Sequence, residues 1–195
     1  MKQLILFLAT GTSLLFSQGY KVGDQVKDFS LKNVDGKMVS MADYKDAKGF
    51  IVVFTCNHCP FAMAYEQRIM ALDAKYRPLG YPVIAINPND PAIVPDDSFD
   101  NMVSRSKEKG YTFPYVLDET QQVAKAFGAT KTPHVYIVSK KKMTVEYIGA
   151  IDNNTDDASK ADKKYVELAV DALLAGKTFE NKETKAVGCG IKWKK

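Results

Sequence analysis

The sequence has no internal repeat, no low-complexity tract and no composition break that would mark a second domain. Repeat architectures and disordered linkers are thereby excluded. Its 195 residues fit one domain of ordinary size with a real core. Excess charge is scarce as well: the formal net charge is +4, and the lysines are scattered apart from Lys140-Lys141-Lys142 and the C-terminal KWKK. That is a solvated surface, and it gives no basis for a nucleic-acid partner. Cysteine is also rare, with three in the chain. Hydrophobic residues make up 46% and charged residues 26%, so the core needs no disulfide staples. Two of the three cysteines nevertheless lie close together, in IVVFTCNHCPFAMAYEQR, and that placement needs a chemical reason.

The first residues stand apart. MKQLILFLATGTSLLFSQG has a lone Lys2, an apolar run from Leu4 to Phe16, and then small or polar residues. The run is shorter than the roughly 20 residues a bilayer-spanning helix needs. The layout predicts a signal peptide over residues 1–17, cut after Ser17 or Gly19. No cysteine sits at that cut, so a lipoprotein is not expected. The chain would be periplasmic or secreted, where disulfides form and persist. Cys56, Cys59 and Cys189 all fall in the mature part, and an odd number leaves at least one thiol unpaired in a monomer with a single bridge.

Along the chain, DFSLKNVDGKMVSM alternates around an Asp35-Gly36 turn and reads as a short hairpin. GFIVVF and YPVIAIN are continuous apolar runs, the pattern of strands buried on both faces. Between them, Phe61, Tyr65, Ile69, Leu72 and Tyr76 recur at helical steps, ended by Pro78 and Gly80. A proline-rich loop follows, with Asp97-Ser98 as a cap for a helix running to about Lys109. YVLDE is a short strand, and TQQVAKAFGA a short helix closed by Gly128. HVYIVSKKKMTVEYIGAI is an antiparallel pair. A last helix puts Tyr165, Leu168, Ala169, Ala172 and Leu173 on one face and ends at Gly176. The order is hairpin, βαβα, short strand, short helix, ββα, an α/β fold with a mixed central sheet flanked by helices.

Cys56 falls where a buried strand gives way to a helix. Unpaired N–H groups and the positive dipole end of a helix favour a thiolate there. They can lower a cysteine pKa from about 8.5 to between about 3.5 and 7. Cys59 is one turn on and close enough to bridge. Cys56 is therefore expected to attack and Cys59 to resolve, through a mixed disulfide. His58, if protonated, would favour the Cys56 thiolate. Pro60 is tolerated because first-turn N–H groups have no helical acceptor. A thiol pair of this spacing also occurs in metal sites, and His58 and His134 are available beside the thiols for zinc or copper. Glu66, two turns beyond Cys59, is expected to be solvated, as is the acidic loop DNNTDDASKAD, whose spacing does not suit calcium. No cofactor is expected.

Far downstream, GATKTPHVYIV places Thr132-Pro133 just before a strand, a position where the proline can be cis. FTCNHCP after a buried strand, together with KTPHVYIV, resembles the thioredoxin fold over roughly residues 20–178. The resemblance implies that Pro133 is cis, packs against the cysteine pair, and with Thr132 binds a partner's backbone. The opening VGDQVKDFSLKNVDGKMVSMADY is similar to the N-terminal hairpin of the peroxiredoxin-like (AhpC/TSA) and TlpA/ResA-like branch. CNHCP and the tail AVGCGIKW resemble a group of bacterial redoxins in that branch. The tail, residues 179–195, carries Cys189, either as a third exchanging thiol or as a free, partly buried one.

The resemblance implies a thiol–disulfide oxidoreductase acting on protein or small-molecule disulfides, with a transmembrane thiol reductase as an inferred partner. Two departures bear on activity. Asn57-His58 replaces the Gly-Pro of typical thioredoxins. Cys56 takes the place of the threonine in the peroxiredoxin T-x-x-C-P motif, with Cys59-Pro60 at the peroxidatic position. A thiol peroxidase, with Cys59 or Cys56 attacking peroxide, is the alternative, but Arg68, Arg77 and Arg105 cannot be placed as the arginine that chemistry uses.

Overall fold

The computed structural model describes residues 19–195. The expected signal peptide and its cut after Ser17 lie outside them. A seven-stranded mixed sheet forms the centre, in the order β2-β1-β5-β4-β3-β7-β8. Its strands are β1 (Leu31–Asn33), β2 (Met38–Val39), β3 (Gly49–Phe54), β4 (Val83–Asn87), β5 (Tyr115–Leu117), β7 (His134–Ser139) and β8 (Thr144–Gly149). β3, β4 and β5 run parallel, joined by α1 (Pro60–Tyr76) and α2 (Phe99–Lys109), as the crossovers predict. β7 and β8 are the expected antiparallel pair, and β1 and β2 the expected hairpin.

The uninterrupted apolar runs of β3 and β4 follow from what covers them. Ile51, Val53, Val83 and Ala85 face α1, α2 and α4 (Tyr165–Leu174). Phe50, Val52, Phe54, Ile84 and Ile86 face the other way, against α3 (Gln122–Phe127), the N-terminal segment at Val26 and Phe29, and Ile191 of the tail. Every residue of both strands is buried. A strand with apolar cover on two sides has no reason to alternate.

Two helix faces differ from expectation. On α1 the buried side is Ala62, Tyr65, Glu66, Ile69, Leu72, Asp73 and Tyr76, while Phe61 is exposed. On α4 the buried residues are Val166, Ala169 and Val170, and Leu168 is 58% exposed. In both cases steps of three and four fit two neighbouring stripes, and the sheet selects one of them.

The tail folds back on the domain. Its β9 (Cys189–Gly190) pairs antiparallel with β6 (Lys131–Thr132), placing Cys189 opposite Thr132. Ile191 N–H donates to Thr130 O and Lys192 N–H to Asn89 Oδ1. Buried Gln121 holds the next turn, donating to Lys192 O and accepting from Lys194 N–H. Among the described residues, no helix is long and apolar enough to cross a membrane.

Candidate active site

β3 ends at Phe54, and α1 starts at Pro60 with Cys59 as its N-cap residue. It is therefore Cys59, not Cys56, that sits at the helix N-terminus. Pro60 stands at the first helical position, where a missing N–H costs nothing, and the first turn carries no acidic residue. Cys56, Cys59 and Ala62 form one small buried cluster with Cys189 against it. The Thr132–Pro133 peptide beside them is cis. Thr132 Oγ1 lies 3.2 Å from Cys56 Sγ, and Thr132 O lies 3.2 Å from Cys59 Sγ.

The disulfide in this structure joins Cys59 to Cys189. Cys56 is the free thiol. This differs from the expected pairing within C-x-x-C and from the reading of Cys189 as a free thiol. Burial also reverses the expected acidity of Cys56. The side chain is only 4% exposed. Burial first, and the Asp97 charge second, push its pKa up to about 11, against smaller opposing effects from the Thr132 hydroxyl and the Cys59 and His58 backbone. In this state Cys56 is a protonated thiol at neutral pH. Its alkylation by iodoacetamide in the oxidised protein is expected to reach half-maximal rate near pH 11. A pH–rate profile with its midpoint at or below 8.5, the ordinary cysteine value, would contradict that placement.

Asp97 is the residue that sequence reasoning missed. The sequence places it in a helix cap, but Ser98 alone does that work, accepting from Asn101 N–H. The Asp97 carboxylate instead turns inward and is fully buried. It accepts hydrogen bonds from Asn57 N–H at 2.7 Å, His58 N–H at 3.3 Å, Asn89 Nδ2 at 2.7 Å and His58 Nδ1 at 2.5 Å. Asn57 is locked further, its side chain donating to Asp96 O and accepting from the Tyr115 hydroxyl. The Asn57-His58 insert thus ties the cysteine loop to the loop after β4. The Asp97 carboxylate thereby fixes the His58 ring through Nδ1. A surface cleft of about 410 Å3, lined among others by Asn57, His58, Met63, Asp96 and Arg105, opens on this side.

Glu66 is not solvated as expected. It is buried and accepts from Arg105 Nε at 2.8 Å and from the Tyr111 hydroxyl. It lines a small cavity with Cys56, Ala62 and Tyr111. The acidic loop is likewise not simply solvated. Its Asp152 is buried and bidentate to Arg68 Nη1, at 2.9 and 2.8 Å, and accepts from the Tyr65 hydroxyl. Arg77 donates to Thr112 O. Each of the three arginines is committed to a carboxylate or a carbonyl.

Among the described residues, Cys56, His58 and Asp97 bring donor atoms within 4.8 Å of one another, a grouping that could hold a metal ion. Both Asp97 oxygens already accept hydrogen bonds, which competes with such a role. His134 is not part of that group. It is buried at the start of β7, and burial pushes its pKa down to about 4, so it is neutral at pH 7.

The sheet order, the buried thiol cluster at the head of α1 and the cis-proline opposite it define a thioredoxin-like fold. A solved structure from Neisseria meningitidis described as a thioredoxin is 25% identical, covers 65% of this chain and 81% of its own, and superposes with a TM-score of 0.53. Within that class, the AhpC/TSA family model matches residues 22–148, and the chain belongs to that family. A conserved protein of Geobacillus kaustophilus is 38% identical over 90% of this chain and 93% of that one, with a TM-score of 0.83. Among curated relatives, the thiol-disulfide oxidoreductase ResA of Geobacillus thermodenitrificans is 27% identical over 122 residues. That match takes in 61% of this chain and 64% of the relative, so the chain spans less than two thirds of the relative's length.

Proposed function

We propose that this chain is an exported thiol–disulfide oxidoreductase in which Cys56 and Cys59 are the exchanging couple and Cys189 is a third thiol that captures Cys59. One observation carries this reading: three sulfurs meet in one buried cluster, with one disulfide and one free thiol among them. Such a centre moves a disulfide among three partners by thiolate attack, with no cofactor. The Cys59–Cys189 bond is what remains after Cys189 has attacked a Cys56–Cys59 disulfide and expelled Cys56. The name carried by the ResA relatives supports the same activity. Substrates would be protein or small-molecule disulfides. Thr132 and Pro133 line the site, with Asn57 and His58 fixing the cysteine loop. Export rests on the Leu4–Phe16 pattern. If the protein works as a reductant outside the cytoplasm, a transmembrane thiol reductase would supply its electrons.

The peroxidase alternative finds support in Cys59-Pro60 at a helix N-terminus and in the family itself. It lacks a free arginine, since Arg68, Arg77 and Arg105 all have other partners. Disulfide exchange is therefore preferred.

The test uses the full mature chain carrying Cys189→Ser, equilibrated against glutathione and dithiothreitol and mapped by mass spectrometry. A Cys56–Cys59 disulfide is expected. A midpoint near −270 mV would class the protein with reductants, and one near −120 mV with disulfide donors. Absence of that disulfide at every poise would remove the Cys56–Cys59 couple.

A further inference from the structure

We propose that Cys189 is the sulfur at which an outside thiol enters this centre, with Cys59 leaving as the thiolate. The inference rests on the reading of this chain as a thiol exchanger, but not on the Cys56–Cys59 couple. Three independent features point to it.

The first is access. Cys59 is fully buried and Cys56 is 4% exposed, whereas Cys189 is partly exposed. Its neighbours Gly188 and Gly190 have no side chains to shield it. Disulfide exchange needs the incoming thiolate to reach one sulfur of the bond, and access decides which one.

The second is the leaving group. Attack on Cys189 expels Cys59, which sits at the N-cap of a 17-residue helix with no acidic side chain in its first turn. The free N–H groups and the dipole of that helix end stabilise the departing thiolate. Attack on Cys59 would expel Cys189 from a two-residue strand that offers no comparable stabilisation. The lower-pKa thiol leaves faster.

The third is that the tail is a fixed mount. Before Cys189, Thr184 N–H donates to Ile148 O, and Thr184 Oγ1 accepts from Ala150 N–H. After it, Asn89 and Gln121 hold Lys192 and Lys194. The chain's own β9 occupies the edge of β6. A partner strand therefore cannot use that edge to approach Cys59, and the partly exposed Cys189 is offered instead.

The step balances as an exchange. The incoming thiolate forms a bond to Cys189 Sγ, the Cys59–Cys189 bond breaks, and Cys59 takes the electron pair. A second thiol of the same partner then attacks the partner's sulfur in the mixed disulfide and releases Cys189. The partner dithiol ends as a disulfide, and Cys59 and Cys189 gain two electrons and two protons.

The test takes the oxidised full chain with Cys56→Ser, beside the wild-type chain, and exposes each briefly to glutathione. Reaction is stopped with acid, free thiols are then blocked with N-ethylmaleimide, and the peptides are mapped. The expected result is glutathione on Cys189 and maleimide on Cys59, at least about tenfold over the reverse pattern, in both proteins. Equal adducts at the two positions, or glutathione on Cys59 or Cys56 in place of Cys189, would overturn the proposal. The Cys56→Ser chain cannot form a Cys56–Cys59 bond, so loss of the couple proposed above would leave this outcome unchanged.

Discussion

Asp97→Ala is expected to destabilise the fold by roughly 3–5 kcal/mol and to slow thiol exchange by about a hundredfold. The carboxylate is fully buried and takes four hydrogen bonds, two from backbone N–H groups of the cysteine loop and two from side chains. Alanine leaves those donors without their acceptor, and the buried ones, Asn57 N–H and Asn89 Nδ2, cost about 1–3 kcal/mol each when unpaired. The exchange rate falls for a different reason. Asn57 and His58 lie between the two cysteines, and releasing their anchor lets the loop drift. A misplacement of about 1 Å at a reacting group is enough for a hundredfold loss. Asp97→Asn separates charge from geometry. The amide oxygen can still accept from Asn57 N–H, so stability suffers less. The negative charge that helps to hold Cys56 high is gone, so its pKa moves down from about 11. Urea unfolding, a disulfide-exchange assay and the pH profile of Cys56 alkylation read the three effects. An alanine variant as stable and as active as the parent would show that Asp97 does not organise the loop.

Asp97 also shows where the sequence stops being informative. The buried strands were legible because continuous apolar runs have one physical meaning once helices cover both faces of a sheet. The thiol pair and the proline before β7 were legible because their chemistry is carried by residue type and local position. Asp97 precedes Ser98, and locally an Asp-Ser pair ahead of a helix signals a cap. Its partners in the cysteine loop are 39 and 40 residues upstream and become neighbours only when the loop after β4 meets the loop after β3. Glu66 failed in the same way. A carboxylate on a helix is read as solvated, and only Arg105 and Tyr111, arriving from other elements, make its burial tolerable. The disulfide was less legible still. Cys59 and Cys189 are 130 residues apart, and a pairing of β6 with β9 that is two residues long brings them together. So short a strand leaves no periodic trace.

That short pairing sets up the second large effect. Gly188→Ala is expected to displace the tail strand and shift the disulfide population away from Cys59–Cys189 by at least about tenfold. A Cβ at position 188 would lie 2.2 Å from Thr132 O and 2.6 Å from Thr132 C. Both are backbone atoms next to the cis-proline, in a loop packed against the buried thiols, so they cannot swing aside as a flexible side chain would. The tail has to retreat by about 1 Å or more to restore van der Waals contact. Gly188 is followed directly by Cys189, so the retreat draws the sulfur away from Cys59 and strains the bond. A disulfide tolerates little change in the separation of its two residues. The Asn89 and Gln121 contacts to Lys192 and Lys194 lie further along and resist full detachment, so the domain itself is expected to stay folded. Two variants at one glutathione poise, mapped for the Cys59–Cys189 and Cys56–Cys59 isomers, decide the matter. Gly190→Ala is the control, because nothing lies within 4 Å of a Cβ placed there. A shift in Gly188→Ala with none in Gly190→Ala means that close backbone contact at Thr132 keeps Cys189 in reach of Cys59. Equal isomer ratios in the two variants would mean that the bond holds the tail in place, and that the β6–β9 pairing is its consequence.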